Sequence, residues 1–412
     1  MPADPFRMAI IGTGGIARRH VQAMEDLRQR GLDDFIVTAV CDVDEEAARA
    51  TAQMLQEVQG SAPAVYGDYR QILDAGGIDG VDICLPHGLH HGTAVDCMEA
   101  GAHVLCEKPL GITIRACRLM AETADRTGKV LSTAVPYRRL PGQRKVHWIL
   151  NESGLIGTPQ SFVHQHARPP APVDPQQALR PAVVWRRDRL MSGGGPVMDS
   201  GFHYCDSMRY MLGEVDTVYA RAFAREGDKI LSLSETRENS IFATLTFKNG
   251  VTGMWSWSTA SPGEEMMNLV FQGSKGSIRD LTPGRASIFH IYWREPKGDL
   301  FEVGQLTLED GSTLTLDDIT PQYREAMGEE RLAALYPCGI EDGFAFEIWE
   351  FVQAARGEID GVEVDGWGGL HSMAICQAIY ESALTGDVVC VDDIISGARR
   401  KYQETIDEHW GL

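Results

Sequence analysis

Met8-Ala9-Ile10-Ile11-Gly12-Thr13-Gly14-Gly15-Ile16-Ala17, residues 8–17, is the stretch on which the fold turns. Four apolar residues read as a buried strand, glycines crowd the turn that follows, and from Ala17 onward the spacing becomes helical. In a turn of this kind Gly12 permits the sharp reversal, Gly14 lets the backbone approach a phosphate, and Ala17 is small enough for the helix to lie on the strand. The helix N-terminus then offers unpaired N–H groups to an anion. Gly12, Thr13, Gly14, Gly15 and Ile16 are therefore candidates to cradle a dinucleotide pyrophosphate, although glycine-rich turns also arise for packing alone.

Working outward, the short apolar runs Ile36 to Cys41, Val81 to Leu85, Val104 to Cys106 and Val130 to Val135 alternate with helical stretches. In Asp44 to Val58, for instance, Ala47, Ala48, Met54, Leu55 and Val58 recur near three or four residues apart. This rhythm predicts βαβ units on a parallel sheet, an α/β fold with a Rossmann dinucleotide-binding domain over residues 1–136. After Pro136 the pattern changes. A helix over Pro141 to Glu152 and a glycine-rich turn lead into Gln160 to His166, and then into alternating runs at Val218 to Arg225, Ser240 to Phe247, Val251 to Ser258 and Met267 to Gln272. That order predicts a second, α+β domain over residues 137–412, built on a large open, mostly antiparallel sheet with helices on one face. Residues 283–340 mix short strands with polar loops and read as an insertion, and helical stretches at Gly343 to Arg356 and Gly368 to Thr385 are expected to close the second domain.

With 412 residues, 43% of them hydrophobic, the chain can fill two cores. Its formal charge of −20 disfavours nucleic acid and anionic membranes and suits small-molecule ligands. No apolar run approaches bilayer length and no leader pattern opens the chain, which points to the cytoplasm. Most of the nine cysteines sit in apolar strand or helix contexts without zinc-type pair spacing, so reduced core thiols are expected and no metal site is assigned.

Three further places carry chemistry. Asp42 ends the second run, where a carboxylate accepts hydrogen bonds from an adenosine ribose; the following Asp44, Glu45 and Glu46 include no arginine for a 2′-phosphate, which favours NAD over NADP. Capping of the next helix is the alternative role for Asp42. Leu85, Pro86, His87 and His90 fall at the mouth of a strand, where a doubly wound sheet opens its ligand crevice; helix capping and cofactor packing suit these histidines better than a metal. Glu107, Lys108 and Pro109 close another strand, placing an ammonium where a carbonyl would develop during hydride transfer from an alcohol, and the abutting Pro109 argues against a mere surface ion pair. Further on, Gly193, Gly194 and Gly195 precede a helix expected to start at Pro196 and stop at Gly213. Val197, Gly201, Cys205, Met208 and Leu212 form its core face. Asp199, His203, Asp206 and Tyr210 form a polar stripe, which fits a solvated face and equally a histidine base oriented by a carboxylate one turn before it.

Taken together, the fingerprint Ile11 to Ala17, Leu85 to His90, Gly101 to Leu110, Arg138 through Pro141, Gly154 to Gly157, Trp185 to Asp206, Phe271 to Ile278 and Ile379 to Gly386 resemble the glucose-fructose oxidoreductase, inositol dehydrogenase and rhizopine-catabolism (Gfo/Idh/MocA) family over nearly the whole chain. The resemblance implies Lys108, Asp199 and His203 as a catalytic triad, with His203 the base and Lys108 assisting, and NAD held by Gly12 to Ile16, Asp42, Leu85, Pro86, His87, His90, Glu107 and Lys108. It also implies a homodimer or homotetramer assembled through the open sheet. Arg138, His164, His166, Trp185 and Arg186 become candidate sugar contacts, since stacking aromatics and forked donors suit polyols; His164 and His166 share a strand face and equally fit sheet packing. His87 stands where the family often has asparagine, and the 283–340 insertion exceeds that of compact members. The implied activity is oxidation of a ring secondary hydroxyl of a sugar, glycoside or cyclitol to the ketone, with a leaning to the C3 hydroxyl of a glycoside. An NAD-cycling glycoside hydrolase and a non-catalytic NAD-dependent sensor are the competing readings.

Overall fold

The computed structural model describes residues 4–170, 181–233, 236–281 and 304–412. The first part alternates strand and helix: β1 (Phe6–Ile11), α1 (Gly15–Gln29), β2 (Phe35–Cys41), α2 (Glu45–Gln59), β3 (Ala64–Tyr66), α3 (Tyr69–Ala75), β4 (Gly80–Ile83), α4 (His90–Glu99), β5 (His103–Glu107), α5 (Ile114–Thr127) and β6 (Leu131–Ala134). All pairings are parallel, in the order β3-β2-β1-β4-β5-β6. The chain reverses its direction of winding between β1 and β4, and such a switch point opens a crevice at the carboxyl ends of the strands. Local chemistry sets the helix limits. Asp44 caps α2 by accepting the Glu46 and Ala47 N–H groups, and α2 stops at Gly60, whose φ of +78° suits glycine.

The remainder runs α6 (Pro141–Asn151), β7 (Pro159–Ala167), the short helices α7 (Pro181–Val184) and α8 (Arg189–Ser192), α9 (Ser200–Leu212), β8 (Val215–Glu226), β9 (Lys229–Leu231), β10 (Ser240–Phe247), β11 (Thr252–Ser258), β12 (Met266–Gly273), β13 (Gly276–Asp280), β14 (Gly304–Leu308), β15 (Thr313–Thr315), α10 (Leu316–Leu335), α11 (Gly343–Arg356), α12 (Gly366–Thr385), β16 (Val389–Cys390), α13 (Val391–Ser396) and α14 (Glu404–Trp410). Its ten-stranded sheet follows the order β15-β14-β13-β12-β7-β11-β10-β8-β16, with β9 on β8. Every pair is antiparallel except β7 with β11. One face is covered by helices, chief among them α12, which is buried on nearly all sides between α5 and β8.

Three expectations need correction. The helix before Gly213 begins at Ser200 with Asp199 as its N-cap, because Gly195 to Asp199 form turns instead of a first helical turn at Pro196. Residues 304–340, read as short strands and loops, contain the long helix α10; Pro321 and a Gly328 at φ +68° break its periodicity, while Thr315 and Asp318 form a capping box at its start. Residues 282–303 of that stretch lie outside the described residues. Finally, α11 does not close the second module but covers the first. Its Phe344, Ile348 and Phe351 join Met8, Ile10, Val21 and Leu27 in one core cluster, each such side chain contributing about 1.5–3 kcal/mol of burial. Among the described residues, no helix is long and apolar enough to cross a membrane.

Candidate active site

The glycine turn after β1 is shaped by what surrounds it. Gly12 has φ +91°, and a Cβ there would meet the Cys84 carbonyl oxygen at 2.5 Å, just past β4. At Gly14 a Cβ would meet nothing within 4 Å, and no side chain caps α1 at this residue. The first N–H groups of α1 are thus left for a ligand, which fits a dinucleotide pyrophosphate. Asp42 holds this turn: its Oδ2 accepts from the Thr13 N–H (2.7 Å) and hydroxyl (3.0 Å), and its Oδ1 from the Asp44 N–H (2.9 Å). Asp44, not Asp42, is the cap of α2, and Oδ1 keeps acceptor capacity toward a ribose. Arg49, the first cation on α2, is engaged by Glu45 (3.1 Å from Nε), so the charge pattern of this end favours NAD over NADP.

Two residues expected at the cofactor face inward instead. Glu107 is buried at the end of β5; its Oε2 accepts the Lys108 N–H at 2.9 Å, and its Oε1 lies 3.2 Å from His20 Nε2, while His20 Nδ1 lies 2.8 Å from Asp82. Burial alone would lower the His20 pKa, but Asp82 outweighs it and holds the imidazole well above its usual range. This buried group ties α1, β4 and the Lys108 loop together. His90 is likewise fully buried, with its ring nitrogens 2.9 Å from the Pro109 carbonyl and 2.8 Å from that of Leu85, joining the turn after β4 to the same loop. Leu85 leans on Gly12, and Pro86 opens the short turn that carries His87. His87 Nδ1 donates to the Ser192 carbonyl at 2.8 Å, and burial holds this imidazole down to about 3, neutral at physiological pH.

The Lys108 ammonium, nearly buried, donates to Asp199 Oδ1 at 2.7 Å and to the Asp199 carbonyl at 3.1 Å. Arg186 Nε donates to the other oxygen, Oδ2, at 2.7 Å. Burial alone would raise the Asp199 carboxyl, yet Lys108 and Arg186 outweigh it and keep it well below the usual carboxylate range. His203 follows one turn later, 1% exposed, its ring 4.2 Å from that of Tyr137. Burial, reinforced by Lys108, holds its imidazole well below the ordinary value, so it is neutral. Asp199 thus spends both oxygens on cations across the cleft, where the spacing had pointed along the helix toward His203. The cleft itself, of about 320 Å³, lies between the two modules with His87, Arg186 and Asp199 on its wall.

Residues 6–135 match the model of the oxidoreductase family with an NAD-binding Rossmann fold, and residues 149–279 match the GFO/IDH/MocA C-terminal domain. The chain belongs to the Gfo/Idh/MocA family. It is an NAD-dependent dehydrogenase. The D-glucoside 3-dehydrogenase of Escherichia coli (strain K12) is 30% identical, the match covering 75% of this chain and 85% of the relative. The myo-inositol 2-dehydrogenase of Thermotoga maritima is 28% identical over 66% of this chain and 74% of its own. A solved levoglucosan dehydrogenase, in complex with NADH and L-sorbose, shares the fold at a TM-score of 0.71 and 22% identity, over 94% of this chain and 99% of the other.

In this Gfo/Idh/MocA member several candidate sugar contacts turn out to be structural. Arg138 is buried and forms a forked pair with Asp206 (2.8 Å from Nε to Oδ2), so its donors are spent in the interior. His164 and His166 do share a face of β7, the one beneath the helices; the His164 ring packs, tilted, 4.6 Å from that of Tyr204 of α9, and His166 lies 3.0 Å from Glu265. Trp185 and Arg186 stay at the site, the guanidinium 4.3 Å over the indole and His87 edge-on to it at 4.7 Å.

Other lining residues escaped the sequence reading. Arg168, Arg237, Glu238 and Trp257 also wall the cleft. Glu238 accepts the N–H groups of Gly195 (3.1 Å) and Val197 (2.8 Å) and the Tyr380 hydroxyl (2.8 Å). The close approach explains the glycine run, since a Cβ on Gly194 would strike Tyr380 and one on Gly195 would meet Glu238 at 2.5 Å. Arg168, two residues past the alternating run that ends at His166, and Trp257, inside the run Val251 to Ser258, gave a signal; Glu238 sits in a polar stretch with no periodicity.

Proposed function

We propose that this dehydrogenase oxidises a ring secondary hydroxyl of a sugar, glycoside or cyclitol to the ketone, with the C3 hydroxyl of a glycoside as the preferred position. The observation that carries this reading is the meeting of Lys108, from the loop after β5, with Asp199, at the head of α9, across a cleft beside a neutral His203. Bound NAD supplies the hydride acceptor. The Lys108 ammonium donates to the substrate oxygen and stabilises it as it becomes a carbonyl, while Asp199 keeps that ammonium aimed. His203, uncharged because it is buried beside a cation, accepts the hydroxyl proton at a ring nitrogen. Trp185 and Trp257 suit the faces of a sugar ring, and the 30% identity to a D-glucoside 3-dehydrogenase supports the C3 preference.

The test is a panel of methyl glycosides, free sugars and inositols incubated with NAD and followed by absorbance of reduced nicotinamide, with products identified by NMR. We expect NADH and a 3-keto glycoside. No NADH and no ketone from any member would overturn the reading, and glycoside cleavage without net NADH would replace it with an NAD-cycling hydrolase.

We further propose that copies associate through the outer face of the ten-stranded sheet, where Tyr219, Phe242 and Met266 are about half exposed (44%, 50% and 48%). Light scattering should return the mass of two or four chains; a single chain's mass at micromolar concentration refutes this. The nine unpaired thiols suit a reducing compartment, and we place the enzyme in the cytoplasm.

A further inference from the structure

The cleft runs against the charge of the rest of the chain. In a protein of formal charge −20, Lys108, Arg168, Arg186 and Arg237 converge on this one site, opposed among the described residues by two carboxylates, Asp199 and Glu238. Both carboxylates are occupied. Asp199 is divided between Lys108 and Arg186, and Glu238 is turned onto the backbone of the glycine turn and the Tyr380 hydroxyl. Arg237 donates to the backbone carbonyl of Arg186, a neutral acceptor.

Arg168 is the outlier. It follows β7 directly, and its backbone is pinned by the N–H bond to the Ser258 carbonyl at 2.9 Å, so its side chain leaves from a fixed point on the cleft wall. Its Nε is out of contact with solvent and has no hydrogen-bond partner, and among the described residues its guanidinium makes no ion pair. A desolvated donor on a permanent cation is costly to leave unmatched. A neutral sugar hydroxyl would satisfy such a group only partly, whereas the planar fork of a guanidinium matches two oxygens of a carboxylate or phosphoryl group.

Resting on the reading of this cleft as a sugar dehydrogenase site, we propose that the physiological substrate is an anionic sugar, whose carboxylate or phosphoryl oxygens are received by Arg168 and Arg237. Burial lowers the Arg237 pKa despite nearby acids, consistent with a cation short of counter-charge. In a protein that is otherwise acidic, the cations gathered here give the cleft a positive field, focused between low-dielectric walls, that draws an anion in.

The enzyme saturated with NADH is titrated calorimetrically with D-glucuronate, D-glucose 6-phosphate and D-glucose, at low and at raised salt. One of the two charged sugars should bind at least about tenfold more tightly than D-glucose, with the advantage shrinking as salt rises; which of them wins tells a carboxylate from a phosphoryl substrate. Arg168→Met should remove most of that advantage and Arg168→Lys only part of it, since the ammonium keeps the charge but not the fork. Equal binding of all three sugars, or an Arg168→Met variant that weakens all three alike, overturns the inference. The two proposals fail separately: charge-selective binding with no oxidation of any sugar refutes the dehydrogenase reading alone, and oxidation of neutral and charged sugars at equal efficiency refutes the anionic substrate alone.

Discussion

Asp199 and Asp206 stand seven residues apart, two turns along the same stripe of α9, and each holds a cation from a distant part of the chain. Asp199, at the head of the helix and 26% exposed, meets Lys108 and Arg186 over an open cleft. Asp206 is 2% exposed; it takes the Arg138 fork and the Ser372 hydroxyl at 2.9 Å, with Arg138 lying 5.2 Å over the Tyr210 ring. The two pairs use the same chemistry to opposite ends. Where water and ligand can enter, an ion pair holds the Lys108 ammonium in a fixed aim across the cleft; where they cannot, it neutralises two charges that packing has forced together. What separates a working pair from a structural one is thus access and not residue type.

Removing Lys108 should have the largest effect. Lys108→Ala is expected to lower kcat/KM by about 10⁴-fold, roughly 5.5 kcal/mol of transition-state stabilisation, while NAD binding persists and the unfolding free energy falls by less than for Asp206→Ala, because Arg186 remains on Asp199. Turnover within a few-fold of the parent enzyme would show the cleft pair to be structural after all. The opposite signature is expected at the sealed pair: Asp206→Ala strands the Arg138 charge in the interior and should cost about 3–5 kcal/mol in denaturant unfolding, with the remaining folded enzyme still binding NAD. A variant of parental stability and lost turnover would erase the distinction drawn between the two carboxylates.

The smallest effect sharpens the comparison through pH. The His164 ring lies tilted, 4.6 Å from that of Tyr204 of α9, and burial, with His166 adding to it, holds its imidazole down to about 3. Unfolded, it titrates near its ordinary value of about 6.5, so below that pH the unfolded chain takes up the proton first and stability present at higher pH is lost, at ~1.4 kcal/mol per unit. His164→Phe keeps the ring contact and should flatten the decline of the unfolding free energy, from urea titrations, between about pH 6 and 4 by about that amount per unit. An unchanged slope would place a charged His164 in the folded protein.

Much of the first module was legible because its signals are local. Gly12, Gly14 and Ala17 sit within six residues of one another, strands of the parallel sheet carry short apolar runs such as Met8 to Ile11 and Val104 to Cys106, and Lys108 and Asp199 are marked by the proline and glycines beside them. The second module was legible in its strands, through period-two alternation, but not in α10, where Pro321 and Gly328 break the pattern, nor in the destination of α11, since an apolar helix face does not say which sheet it will cover. Composition and order along the chain therefore determined the α/β class and the glycine cradle and marked Lys108 as the candidate ammonium, all of which depend on neighbours a few bonds away. Which stripe residue of α9 faces the cleft, that Arg138 is consumed inside while Arg168 stands ready on the wall, and that Glu107 points back to His20, were decided only when segments 68, 91 or 87 residues apart were packed together. Charge pairing and desolvation are properties of that packing, and no spacing in a linear chain encodes them.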